Sequence, residues 1–111
     1  MTKPFSIVIP IFNEEENILP LINKIKKLLS VSSKKCEVIA INDGSTDKTL
    51  DILKNKVSKN KFLRIIDLKT NYGQTAAIMA GLNYCSNEII IIMDSDLQND
   101  PDDIPKLIQK I

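Results

Sequence analysis

Two carboxylates spaced two residues apart, Asp94 and Asp96, follow directly on the apolar run Glu88–Met93. In extended backbone that spacing points both side chains the same way. Adjacent carboxylates repel each other unless a cation sits between them. Hard oxygen ligands suit Mg2+ or Mn2+, and those ions commonly bridge to a diphosphate. A bare Asp-x-Asp is common; its position after a strand-like isoleucine run is what makes Asp94 and Asp96 a candidate metal site.

Polar residues collect at three other places. Pro10-Ile11-Phe12-Asn13-Glu14-Glu15-Glu16 closes the first apolar run, and Asn71-Tyr72-Gly73 follows the third. Asn42-Asp43-Gly44-Ser45-Thr46-Asp47 closes the second. Turn chemistry accounts for much of this last stretch: Gly44 permits a positive φ, Ser45 is expected to cap a helix, and Asp47 suits its first turn. Asp43 is left over, and could accept hydrogen bonds from a base or ribose. The three glycines, Gly44, Gly73 and Gly81, form neither GxGxxG nor a P-loop.

These residues need a scaffold, and the hydrophobic pattern supplies one. Four apolar runs, Phe5–Ile9, Glu37–Ile41, Phe62–Leu68 and Glu88–Met93, alternate with segments of helical period. Continuous β-branched stretches such as Ile7-Val8-Ile9 and Ile89–Ile92 predict strands buried on both faces. The mixed run Phe62–Leu68 belongs nearer an edge. Ile18, Leu21, Ile22, Ile25, Leu28 and Leu29 predict a first helix that starts after Asn17, with Pro20 in its first turn. A second helix is expected after Ser45, through Leu50, Leu53 and Val57. A third is expected over Thr75–Tyr84, with Ala76, Ala77, Ala80 and Gly81 as a small-residue face. A fourth begins near Asp102–Asp103 and carries Ile104, Leu107, Ile108 and Ile111. The pattern predicts an α/β fold: a Rossmann-like, mainly parallel sheet with flanking helices and right-handed crossovers. In such sheets ligands bind beyond the carboxyl ends of the strands, where all four polar clusters fall.

Composition narrows the chemistry. The 111 residues fit one domain; 43% are hydrophobic and 26% charged, as in ordinary globular proteins. A net charge of +1 gives no case for a nucleic-acid surface, and the lysines read as solvated helix faces. The absence of histidine excludes serine-histidine-aspartate hydrolysis on this chain alone. Cys36 and Cys85, without a CxxC partner, read as buried, unpaired small hydrophobes of a reducing compartment. No run is long enough for a signal peptide core or membrane span, so a cytoplasmic chain is expected.

Together the motifs resemble the family-2 glycosyltransferases of the GT-A fold. They are Pro10-x-x-Asn13-Glu14-Glu15, Asn42-Asp43-Gly44-Ser45-x-Asp47, Asn71-x-Gly73-x-x-x-Ala77-x-x-x-Gly81 and Asp94-x-Asp96-Leu97-Gln98. Asp96-Leu97-Gln98 followed by Asp100-Pro101-Asp102-Asp103-Ile104-Pro105 looks like the branch that includes dolichol-phosphate mannosyltransferases and bactoprenol glucosyltransferases. The resemblance implies a UDP- or GDP-sugar donor and a lipid-phosphate acceptor. It implies that the backbone near Pro10 and the ring of Phe12 hold the base, that Glu14 and Asp43 contact base or ribose, and that Gly73 lets the backbone approach the nucleotide. Asp94 and Asp96, the implied catalytic pair, would hold Mg2+ or Mn2+ with Gln98. Asn42 departs from the pattern, because many relatives have an aspartate there.

Family catalytic domains are about twice this long, so residues 1–111 are expected to be the nucleotide-sugar-binding part of a domain truncated at its C-terminus. A longer or assembled enzyme would sit at the cytoplasmic face of a membrane. An open sheet edge and exposed apolar surface make homo-oligomers an expectation. The alternative is a non-catalytic nucleotide-binding or interaction module derived from such an enzyme. A receiver-like signalling domain is less consistent, because the acidic pair and partner lysine it needs are missing.

Overall fold

The computed structural model describes residues 3–32 and 35–95. Their order is β1 (Phe5–Ile11), α1 (Ile18–Leu29), β2 (Glu37–Asp43), α2 (Thr49–Val57), β3 (Leu63–Leu68), α3 (Gln74–Leu82) and β4 (Ile89–Ile92). The strands form one sheet in the order β3-β2-β1-β4, and every pairing is parallel. The expected α/β, Rossmann-like architecture is therefore present. The expected fourth helix lies outside the described residues.

Each face of the sheet has its own cover. Phe5, Ile7, Ile9 and Ile11 of β1 meet Ile18, Leu21, Ile22, Ile25 and Leu28 of α1 and Leu53 of α2 in the larger core. Fully burying aliphatic side chains like these five of α1 is worth about 1.5–3 kcal/mol apiece. On the other face, Val8, Ile39 and Ile41 pack against Ala77 of α3. A Cβ on Gly81 would lie 2.6 Å from Ile41 Cδ1 and 2.7 Å from Val8 Cγ1, so close packing explains that glycine. The sheet-facing stripe is thus Ala77 and Gly81; Ala76 is exposed, contrary to its expected place on that face.

β4 departs further from expectation. Ile89 and Ile91 pack against the larger core, but Ile90 and Ile92 are 39% and 47% exposed. α3 lies over β1 and β2, leaving this face of β4 uncovered among the described residues. A run of four isoleucines reads the same with or without a covering layer. β3, the mixed run, does lie at an edge.

Glu37 fastens the amino ends of the strands. Its Oε2 accepts hydrogen bonds from Ser6 Oγ (2.7 Å) and the Ser86 N–H (2.6 Å), and its Oε1 accepts from Arg64 Nη1 (3.2 Å) and Ser86 Oγ (3.3 Å). One carboxylate of β2 therefore ties down β1, β3 and the segment entering β4. Burial pushes the Glu37 carboxyl up, but the hydrogen bonds from Ser6, Ser86 and Arg64 and the Arg64 charge outweigh it, so the group sits below its ordinary 4.5. A depressed folded-state pKa stabilises the fold above the unfolded value and ceases to do so as pH falls through the folded one. Glu37→Gln should cost about 1–3 kcal/mol at pH 7 and flatten the loss of stability below pH 4.5. Urea unfolding of both proteins from pH 7 to pH 3 measures this; parallel curves would show that Glu37 contributes no pH dependence.

The two free cysteines differ. Cys36 is buried and its Sγ accepts the Phe5 N–H at 3.4 Å, whereas Cys85 is only half-buried, less enclosed than expected. Among the described residues no helix is long and apolar enough to cross a membrane.

Candidate functional site

β1 sits between β2 and β4, and the chain reaches these two neighbours through helices on opposite faces of the sheet. α1 and α2 cover one face, and α3 crosses the other to deliver β4. Such a reversal opens a crevice at the carboxyl ends of the strands. A cavity of about 380 Å3 lies there, within the range of small-ligand sites. Of the residues singled out in the sequence, Pro10, Phe12, Glu14, Asp43, Gly73 and Asp94 all line it. Asp96 and Gln98 lie outside the described residues. Ile11, Asn71, Gln74 and Ser95 complete the lining. Gln74 had no signal of its own in the sequence; it lines the cavity because it is the first residue of α3, which opens at this wall.

The loop after β1 is held by the loop after β2. Asn13, at φ +50°, accepts the Thr46 and Asp47 N–H groups on its Oδ1 (2.8 and 3.3 Å) and donates its own N–H to Ser45 Oγ (2.9 Å). The Glu14 N–H donates to Thr49 Oγ1 (3.0 Å), and the Glu15 N–H to Asp47 Oδ2 (3.4 Å). Phe12, 43% exposed, is carried on this braced loop at the cavity wall. Asn17 precedes α1 as expected, but its side chain donates to Glu14 Oε2 (2.6 Å) and caps nothing.

The expected cap of α2 is corrected in the same place. Ser45 is engaged with Asn13, α2 begins at Thr49, and Asp47 Oδ1 accepts the Thr49 N–H at 2.9 Å. Burial pushes the Asp47 carboxyl up; hydrogen bonds from the Thr49 hydroxyl and from the Thr49 and Glu15 N–H groups more than offset it and hold the group below 3.8.

Asp43 has a structural task that the sequence did not disclose. Its Oδ1 accepts the Tyr72 N–H at 2.8 Å and its Oδ2 the Gly73 N–H at 3.0 Å. The buried carboxylate thereby latches the loop before α3 onto the end of β2. Gly73 itself has φ +99°, and a Cβ there would meet no protein atom within 4 Å. Backbone conformation, not packing, is what asks for glycine at this wall of the cavity.

Asn42, the departure from the family pattern, faces a carboxylate. Its Nδ2 donates to Asp67 Oδ1 of β3 at 2.9 Å. An aspartate at 42 would turn this hydrogen bond into a repulsive pair. Asn42→Asp should destabilise the fold by about 1–3 kcal/mol near pH 7, the cost of a buried polar group losing its partner. The loss should shrink as pH falls and the carboxyls protonate. Equal losses at pH 7 and pH 4 in thermal unfolding would contradict this account.

At Asp94 the structure modifies the spacing argument. β4 ends at Ile92 and Ser95 lies in a turn, so strand alternation stops before Asp94. Asp94 is half-buried and its carboxylate makes no hydrogen bond or ion pair among the described residues. Among the described residues the cavity is lined by three carboxylates, Glu14, Asp43 and Asp94, and by no lysine or arginine. Among the described residues no group of three or more aspartate, glutamate, cysteine or histidine side chains forms a metal cage.

With that geometry in place, the family follows from comparison. The model for "Glycosyl transferase family 2" matches residues 6–111. The chain belongs to glycosyltransferase family 2. It is 41% identical over 107 residues to the dodecaprenyl-phosphate galacturonate synthase of Rhizobium johnstonii, covering 96% of this chain and 32% of that protein. It is 42% identical over 110 residues to the undecaprenyl-phosphate 4-deoxy-4-formamido-L-arabinose transferase of Salmonella choleraesuis, covering 97% and 33%. The chain thus spans about a third of the length of these relatives. Among solved structures it is similar to S. aureus TarS 1-349 in complex with UDP, with TM-score 0.74 and 30% identity over 85% of this chain and 28% of that one. The Pyrobaculum calidifontis mannosyltransferase PcManGT, in complex with GDP-Man and Mn2+, shares the fold with TM-score 0.78 at 21% identity, over 86% of this chain and 28% of that one.

Proposed function

We propose that residues 1–111 form the nucleotide-sugar-binding part of a glycosyltransferase that moves a sugar from a nucleoside-diphosphate donor to a polyprenyl phosphate. The observation that carries this reading is the convergence of Pro10, Phe12, Glu14, Asp43, Gly73 and Asp94 on one crevice in a family-2 chain. Likeness to TarS, solved with UDP and with UDP-GlcNAc, supports a UDP-linked donor, with GDP the alternative base. The names of the polyprenyl-phosphate relatives support the acceptor.

In this reading the Phe12 ring stacks on the base beside the Pro10 backbone. Glu14 and Asp43 accept hydrogen bonds from base or ribose; each Asp43 oxygen retains a lone pair after accepting its backbone N–H. Gly73 leaves room for the nucleotide at a wall that carries no side chain. A diphosphate entering among three carboxylates is repelled unless a cation accompanies it. The donor set, carboxylates with a free Asp94, fits Mg2+ or Mn2+ held by Asp94, Asp96 and Gln98. When bound, the ion neutralises charge on the departing nucleoside diphosphate. The chain's own residues orient the donor.

With Mn2+ present, UDP or GDP should shift the amide signals of Phe12, Asp43, Gly73 and Asp94 and bind at least about tenfold, or 1.4 kcal/mol, more tightly than the free sugar. A titration that leaves those signals unmoved would sink the reading. A non-catalytic module derived from such an enzyme would bind equally well, and a sugar-transfer assay with a polyprenyl phosphate, run on a longer chain that carries these residues, separates the two.

A further inference from the structure

The lysines that read as an even, solvated surface do not lie evenly in the fold. At the amino ends of β2 and β3, opposite the donor crevice, a second cavity of about 650 Å3 opens between the end of α1 and the α2–β3 loop. Lys26, Lys35, Lys59, Lys61 and Arg64 surround it, over apolar surface from Leu29, Cys36 and Phe62. Among the described residues Glu37 is the one carboxylate in its lining, and both of its oxygens are engaged by Ser6, Ser86 and Arg64. Among the described residues Lys26, Lys59 and Lys61 pair with no carboxylate.

In a chain of net charge +1, the described residues thus gather four lysines and a Glu37-paired Arg64 round one cavity, and three carboxylates without a lysine or arginine round the other. Converging like charges repel and favour an anion between them. The loop bearing two of the lysines is fixed: buried Asn60 between them donates its Nδ2 to Lys56 O at 2.9 Å, and its carbonyl accepts the Leu63 N–H at 3.1 Å. An apolar floor beneath a basic rim suits a ligand with an anionic end and an apolar body.

We propose that this cavity binds a small amphiphile carrying a phosphate group, the phosphate held by the lysine rim and the apolar part resting on Leu29 and Phe62. Its cations belong to the protein, so binding needs no metal, unlike the donor crevice. The same chemistry is offered by a soluble aryl or alkyl phosphate and by a phospholipid headgroup with its first carbons.

The test is an NMR titration of the 111-residue chain in EDTA with phenyl phosphate, dihexanoyl phosphatidic acid below its micelle concentration, and inorganic phosphate. At least one amphiphile should bind about tenfold or more tightly than inorganic phosphate and shift Leu29 and Lys59–Phe62; whichever binds better identifies the source. The double variant Lys59→Glu/Lys61→Glu should weaken binding at least about tenfold, and Lys59→Gln/Lys61→Gln by less. Both should keep the wild-type melting temperature and Mn2+-dependent UDP binding. No shift at these residues, an affinity no better than that of inorganic phosphate, or equal binding by wild type and charge-reversed variant would overturn the proposal. So would binding seen only with phosphatidylglycerol vesicles, which would make the region a membrane-facing patch.

Discussion

Replacing Gly44 with alanine should lower the stability of the fold by about 3 kcal/mol, the sum of a left-handed backbone penalty and a steric clash. Gly44 has φ +70°, and a Cβ there would fall inside 3.0 Å of the Asn71 backbone nitrogen and the Thr70 carbonyl group. Those atoms are main chain and cannot rotate away. The segment they belong to is held by Asp43 through the Tyr72 and Gly73 N–H groups, so relieving the clash means breaking the latch. The melting temperature should fall by roughly 10–20 °C, and nucleotide binding should weaken with it. Gly73→Ala is the comparison: its Cβ would meet open space, but φ +99° and ψ 161° are backbone essentially reserved for glycine, so it should cost about 1–3 kcal/mol without any clash. A melting temperature that Gly44→Ala leaves unchanged would refute the steric explanation.

Asp94→Ala should change the sign of its effect with metal. In Mn2+ the variant should bind UDP at least about tenfold more weakly, a loss of 1.4 kcal/mol or more, because the uncommitted carboxylate of the crevice is gone. In EDTA the same variant should bind UDP slightly better than wild type, since one of three carboxylates repelling the diphosphate has been removed. Asp96→Ala should likewise abolish the coupling between metal and nucleotide. Thermal stability should hold, because Asp94 bonds to nothing else among the described residues. Calorimetry that finds the same loss with and without Mn2+ would show that Asp94 is not a metal ligand.

Much of the scaffold was legible in the sequence because it rests on local periodicity. Ile7-Val8-Ile9, Val38-Ile39 and the spacing of Ile18, Leu21, Ile22 and Ile25 place strands and helix within a few residues of their observed bounds. The polar clusters were placed at one sheet edge by topology alone, and six of the named residues do line one cavity. What was not legible depends on partners distant in sequence. Nothing near Asp43 shows that its carboxylate receives N–H groups from Tyr72 and Gly73, or that Gly44 backs onto Thr70 and Asn71. Ser45 looked like a helix cap because the competing demand, from Asn13, lies in another loop. The exposure of Ile90 and Ile92 is set by where α3 lies, which no property of the isoleucines reports.

The order of the strands makes the crevice depend on the β1–β4 pairing, which joins the most distant parts of the described chain. β1 meets β2 after one short excursion, Ser6 against Glu37, but its other partner arrives only when Phe5 meets Ile89 from the far end of the described chain. A pairing of such long sequence separation carries the larger loop-closure entropy cost. Asp43 and Asp94 face one another only after that event, so a nucleotide that engages both recognises only molecules in which β4 has docked. Its apparent affinity is then the intrinsic affinity scaled by the docked fraction. Saturating nucleotide should accordingly slow amide hydrogen exchange in Ile89–Ile92 more than in the central strand segment Val38–Ile41.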